Sequence, residues 1–228
     1  MHGLLILFIL VLLVLFAPQY WVQRVLARYH RVAEDNFPGT GGELARHILN
    51  RFGLADVGVE ITEQGDHYDP EARCVRLTPD KHDGRTLTAI TVAAHECGHA
   101  LQHAVRQPLF VWRTRLARGA GLASQLGSFL LFAAPLLGLI TKAPAAGALT
   151  ALGAFLVLGF GVFVHLLTLP LELDASFRKA MPILEDGYLD EAQVPAARRI
   201  LRAAAWTYVA ASLASLLNFW RWLAVLRR

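Results

Sequence analysis

Four blocks of this chain carry almost no charge, at about residues 3–22, 119–140, 147–170 and 203–223. Within the first, Leu4 to Phe16 is an unbroken apolar run. About 20 predominantly apolar residues are what a helix needs to cross the hydrocarbon core of a bilayer. The chain is 55% hydrophobic and 18% charged, against roughly 45–50% and 25% in an ordinary soluble domain. The excess sits in the blocks rather than being spread along the chain, which argues for membrane spans over one large soluble core. The fold class expected is therefore a mainly α integral membrane protein. It would have about four transmembrane helices and a small α+β domain containing a β-hairpin.

The blocks divide the chain. Residues 1–22 read as an N-terminal transmembrane anchor, closed by the interfacial pair Tyr20 and Trp21. A cleaved signal peptide carries basic residues before its apolar core. Here Arg24, Arg28 and Arg31 follow it instead. Residues 23–118 are the longest polar stretch and read as the catalytic region. Residues 119–170 read as two transmembrane helices, 171–202 as a charged segment, and 203–228 as a last transmembrane helix with a basic tail. Inside 23–118, helical spacing runs from Gly42 to Phe52 with Gly53 as its stop. Val57–Thr62 and Cys74–Leu77 read as the two strands of the hairpin, with turn formers Gly65, Asp66, Asp69 and Pro70 between. A long helix is expected over Leu87–Val105, capped by Thr86.

The net charge of +4 is a topology signal rather than a nucleic-acid one. The arginines flank the apolar blocks, and no basic face interleaved with aromatics is visible. Regions 23–118 and 171–202 both carry them, whereas loop 141–146 has only Lys142. Two spans separate the basic regions, so both are expected on the cytoplasmic side of a multi-pass protein. Two cysteines, Cys74 and Cys97, are too few for a disulfide framework.

The chemistry lies in His95-Glu96-Cys97-Gly98-His99. On a helix, imidazoles at i and i+4 share one face about one turn apart. That spacing suits two ligands of one tetrahedral zinc. Glu96 follows the first ligand and is placed to take a proton from a metal-activated water, as a general base does. A third protein ligand is required. His103 lies too far along the helix to share the metal. Glu172, just past the third block, is the better candidate, because a carboxylate at a membrane edge is a functional candidate by default. The competing reading for Glu172 is a helix cap.

These pieces carry a resemblance. TGGELARHILNRFGL, GDHYDPEARCVRLTPD, AAHECGHALQHA and LPLELDASFRKA, spread over about residues 40–182, are similar to the bacterial YugP-like family of membrane-bound neutral zinc metallopeptidases. The resemblance implies a zincin-like catalytic domain and one zinc per chain. It also implies His95, His99 and Glu172 as ligands and Glu96 as the base. The implied activity is endopeptidase cleavage of peptides or proteins at a bacterial inner membrane, with the bilayer as a further partner. The plan also resembles HtpX-type membrane peptidases, in which a Glu-x-x-Ala-Asp run supplies the third ligand. Here Ser176 stands at the last position, so Ser176 or Asp174 is the expected outer partner of a ligating histidine. His67 and Tyr68 are candidates for substrate or oxyanion contact, since gluzincin-like peptidases hold an extended substrate against a strand edge. Two alternatives stand beside this reading. One is a site-2-type intramembrane protease using Asp174 as ligand. The other is an inactive zinc-binding scaffold.

Overall fold

The computed structural model describes residues 37–206, together with Ala17, residues 20–25 and Arg28. The chain divides into two compact units. One comprises Met1–Gln19, Trp112–Leu169 and Tyr208–Arg228, and the other Tyr20–Val111 and Pro170–Thr207.

The second unit holds the candidate chemistry. Helix α1 (Gly41–Arg51) starts at a capping box. Glu43 N–H donates to Thr40 Oγ1 at 3.2 Å, and Thr40 N–H donates to Glu43 Oε2 at 2.8 Å. These bonds satisfy backbone donors that a helix start otherwise leaves open. Leu44, Ala45, Ile48 and Leu49 form its buried face. Gly53 (φ 73°) takes the left-handed conformation just past its end, as a helix stop does. The Arg46 guanidinium donates to the carbonyls of Ala55 and Val57 and closes the following loop.

Strands β1 (Gly58–Ile61), β2 (His67–Asp69) and β3 (Cys74–Leu77) form one sheet in the order β1-β3-β2. The hairpin differs from the one expected. β1 and β3 run parallel, with Gly58 opposite Cys74 and Ile61 opposite Leu77. The antiparallel neighbour of β3 is β2, with Tyr68 opposite Val75. β2 lies inside the stretch read as a turn. Asp66 and Asp69 are turn formers there; Asp69 closes a local turn, whereas Asp66 ties to Thr78, 12 residues on. Asp66 accepts from Thr78 N–H at 2.7 Å, and Asp69 accepts from Glu71 N–H at 2.8 Å and Ala72 N–H at 3.0 Å. The three residues His67–Asp69 are nonetheless extended, and among the described residues β2 is an edge strand.

After the short helix α2 (Pro79–His82) comes α3 (Leu87–Ala104), capped by Thr86, whose hydroxyl accepts from Ala89 N–H at 3.2 Å. The sequence places this helix correctly. α3 is buried along almost its whole length. Its small residues, Ala93, Ala94, Cys97, Gly98 and Ala100, let neighbours approach closely. The Cys97 thiol packs on the Ala45 carbonyl of α1 at 3.6 Å.

Two long helices follow, α4 (Pro108–Ile140) and α5 (Pro144–Leu173). α5 passes directly into a π-helical stretch, Asp174–Ala180, and then into α6 (Met181–Glu185). A helix over 194–206 adds Ala197, Ile200 and Leu201 to the same core as Leu171, Met181 and Leu184.

The expected integral membrane fold with about four transmembrane helices is corrected here. Among the described residues, no helix is long and apolar enough to cross a membrane. The first apolar block lies almost wholly outside the described residues, as does most of the fourth. In α4 and α5 the described Leu and Phe residues are interleaved with Gly, Ala, Ser and Thr, and Arg113 and Arg115 sit near the start of α4. The multi-pass topology drawn from those spans has no support among the described residues. What the described residues form is a mainly helical α+β arrangement with a small mixed sheet.

Candidate metal centre

His95 and His99 stand one turn apart on the buried face of α3, with their rings 4.8 Å apart and at 79°. The last turn of α5 brings Glu172 against them, fully buried. Glu172 Oε2 lies 3.1 Å from His99 Nε2 and 3.3 Å from His95 Nε2. The π-helical stretch follows immediately and carries Ser176. Its backbone packs on α3 at Gly98, where a Cβ would lie 2.8 Å from the Ala175 carbonyl oxygen. Only glycine admits that approach.

Hydrogen bonds fix both imidazoles. Gln102 Nε2 donates to the Leu171 carbonyl at 2.9 Å and to Asp174 Oδ2 at 2.8 Å. Both partners are acceptors, so the amide has one orientation and its Oε1 faces His99 Nδ1 at 2.9 Å. The His99 proton therefore sits on Nδ1, and Nε2 points its lone pair at Glu172. Ser176 repeats the arrangement. Its hydroxyl faces the Leu201 carbonyl at 3.5 Å, and its Oγ accepts from His95 Nδ1 at 3.1 Å. Two nitrogen lone pairs and one carboxylate oxygen thus converge, all within 4.8 Å of one another. The second oxygen, Glu172 Oε1, is buried with no hydrogen-bond partner.

This donor set fits a zinc ion. Facing lone pairs in a dry site repel one another unless a cation lies among them. Two neutral imidazoles and one carboxylate are a common catalytic zinc set, with one position open. Burial by itself would push the Glu172 carboxyl up. Positive charge on His99 and His95 would outweigh it and hold that carboxyl well below the usual carboxylate range; with both imidazoles neutral, a cation among the three groups supplies that charge.

Glu96, buried at the next position on α3, is not among the converging groups. Burial pushes its carboxyl up to about 7; His95 opposes the rise, and Glu172 and Asp66 add to it. The backbone of Tyr68, on the edge strand β2, also opposes the rise.

The other expected residues fall out as follows. Ser176 reaches His95 directly, and Asp174 reaches His99 only through Gln102. The Tyr68 hydroxyl bonds His103 Nδ1 at 2.9 Å and its ring packs near Phe110. His67 turns back to the Gly65 carbonyl at 2.8 Å and does not join the cluster. Gln102 went unread in the sequence. Its signal was there, three residues after His99 and so on the same helix face.

Residues 4–227 match the family model described as "Putative neutral zinc metallopeptidase". Over 212 residues the chain is 37% identical to "Putative membrane protease YugP" of Bacillus subtilis (strain 168), covering 92% of this chain and 90% of that protein. No solved structure matches the chain.

Proposed function

The chain belongs to the family of neutral zinc metallopeptidases, which hydrolyse peptide bonds, and we propose that it is an endopeptidase with one zinc held by His95, His99 and Glu172. The observation that supports this reading best is the convergence of three buried donor atoms, the two imidazoles among them oriented from outside by Ser176 and Gln102. Zinc, when bound, supplies a Lewis acid and lowers the pKa of a coordinated water.

The chain's own residues do the rest. Glu96 takes a proton from the attacking water and returns it to the leaving amine, as a general base and then acid does. Its raised carboxyl pKa suits both roles. Among the described residues β2 has one strand neighbour, β3, and its other edge would pair with an extended peptide beside Glu96. Backbone pairing of that kind reads chain shape more than sequence. Glu96 also argues against an inactive scaffold, because a structural zinc needs no base. Asp174, the ligand in the site-2-type alternative, is occupied by Gln102.

Membrane association is the second part of the proposal. It is supported by the relative's printed name and by exposed apolar side chains in the first unit, among them Leu122, Phe129, Phe132, Leu139 and Ile140. Large exposed apolar patches mark membrane or protein contact. The lipid bilayer is the partner proposed.

Metal analysis tests the site. The purified protein is expected to hold one zinc per chain, and Glu172→Ala is expected to lose it. Full zinc occupancy in Glu172→Ala would remove Glu172 from the ligand set.

A further inference from the structure

Gln102 is fully buried, and all of its hydrogen-bonding directions converge on the metal centre. Its Oε1 meets His99 Nδ1 at 2.9 Å. One N–H goes to the Leu171 carbonyl at 2.9 Å and the other to Asp174 Oδ2 at 2.8 Å. Leu171 and Asp174 flank Glu172 in the chain, where the α-helix widens into the π turn. A single amide therefore touches one histidine on its own helix and both sides of the carboxylate ligand on another. From this geometry we infer that Gln102 is a positioning residue that sets the tautomer of His99 and the placement of Glu172 together. The inference rests on the zinc-centre reading above.

Chemistry at this position is restrictive. His99 Nδ1–H needs an acceptor, whereas Leu171 O and Asp174 Oδ2 both need donors. Among the natural side chains of this length, only the glutamine amide offers one acceptor and two donors in a plane. A carboxylate there would hold His99 but set two acidic groups 2.8 Å apart. A methionine would fill the space and satisfy none of the three partners. No metal is touched by Gln102, so its contribution passes through His99 and Glu172. Outer partners of metal-bound histidines commonly carry about 10–100-fold in metal affinity.

The test uses the full-length protein, with zinc affinity measured by competition against a chromophoric chelator. The visible spectrum of the cobalt-loaded protein is a second readout, which reports ligand geometry directly. Gln102→Met is expected to bind zinc about 10–100-fold more weakly than wild type, with an altered cobalt spectrum. The metal-free melting temperature checks that this variant is folded. In the pair Gln102→Glu with Asp174→Asn the donor and acceptor are exchanged. The Asn amide donates to the new carboxylate, whose other oxygen still accepts from His99; two of the three bonds are kept, and the Leu171 carbonyl alone loses its donor. This pair is expected to bind zinc at least about tenfold more tightly than Gln102→Met, the lower end of that range. Wild-type zinc affinity and cobalt spectrum in Gln102→Met would overturn the inference while leaving the centre intact. An equal loss in Gln102→Met and the exchanged pair would also overturn it, since packing alone would then explain the residue. Wild-type affinity in His99→Ala would overturn the centre itself, and the inference with it.

Discussion

Each histidine of the centre is held through Nδ1 by a different kind of partner. His99 has an amide that is itself locked by two acceptors. His95 has only the Ser176 hydroxyl, at 3.1 Å, and that hydroxyl's own anchor on the Leu201 carbonyl is long, at 3.5 Å. Neither partner is a carboxylate, so neither adds negative charge to the imidazole it orients. Ser176→Ala leaves the His95 Nδ1–H without an acceptor in a fully buried place. Zinc affinity in a chelator competition is expected to fall about tenfold, at the lower end of what such outer partners contribute. Unchanged affinity would mean that packing alone orients His95. At this scale much was legible in the sequence. His95, Glu96 and His99 follow from helical spacing, and Ser176 and Asp174 follow from their place after Glu172. Gln102 was not read because a glutamine in a helix signals nothing by type. It gains meaning only when Leu171 and Asp174 arrive from a segment about seventy positions away.

The element that completes the site is the π-helical stretch Asp174–Ala180, a rare form that often accompanies functional positions. Its wider turn lets Ser176 face His95 while Glu172, one turn earlier, faces both histidines. The stretch lies close to α3 because position 98 has no side chain. Gly98→Ala puts a methyl group 2.8 Å from the Ala175 carbonyl oxygen, a backbone atom that cannot rotate away. Overpacking of this kind costs about 1–3 kcal/mol. A lower melting temperature and reduced zinc content are expected together, because the displaced segment carries Glu172 and Ser176. A variant that melts and binds zinc like wild type would show that the contact is not needed. Helices were the legible elements. Thr86 marks a start, and Gly53 marks a stop. The sheet was less legible. Parallel pairing of Gly58–Ile61 with Cys74–Leu77 depends on a third strand, and that strand is three residues long among turn-forming aspartates. The π turn has no residue signature at all.

At the scale of the whole molecule, catalytic groups and exposed apolar surface fall in different parts of the chain. His95, His99, Glu96 and Glu172 belong to the unit formed by Tyr20–Val111 and Pro170–Thr207. The exposed Leu and Phe residues of α4 and α5 belong largely to the other. Apolar blocks were plain in the sequence, but block length does not report how a helix is built. Among the described residues no helix meets the requirements of a span. The proposed membrane association is therefore tested on its own. The full chain is expected to float with phospholipid vesicles in a density gradient and to stay bound in high salt, because apolar contact is not screened. Release by salt, or no flotation, would contradict it. The zinc peptidase reading has its own measurement, zinc content and peptide cleavage determined side by side for wild type and Glu96→Gln. Both proteins should carry one zinc per chain, and cleavage should fall by about 10²–10⁴-fold in the variant, the usual contribution of a positioned base. Cleavage by Glu96→Gln at the wild-type rate, or a wild-type protein that cleaves peptides without zinc, would contradict the account.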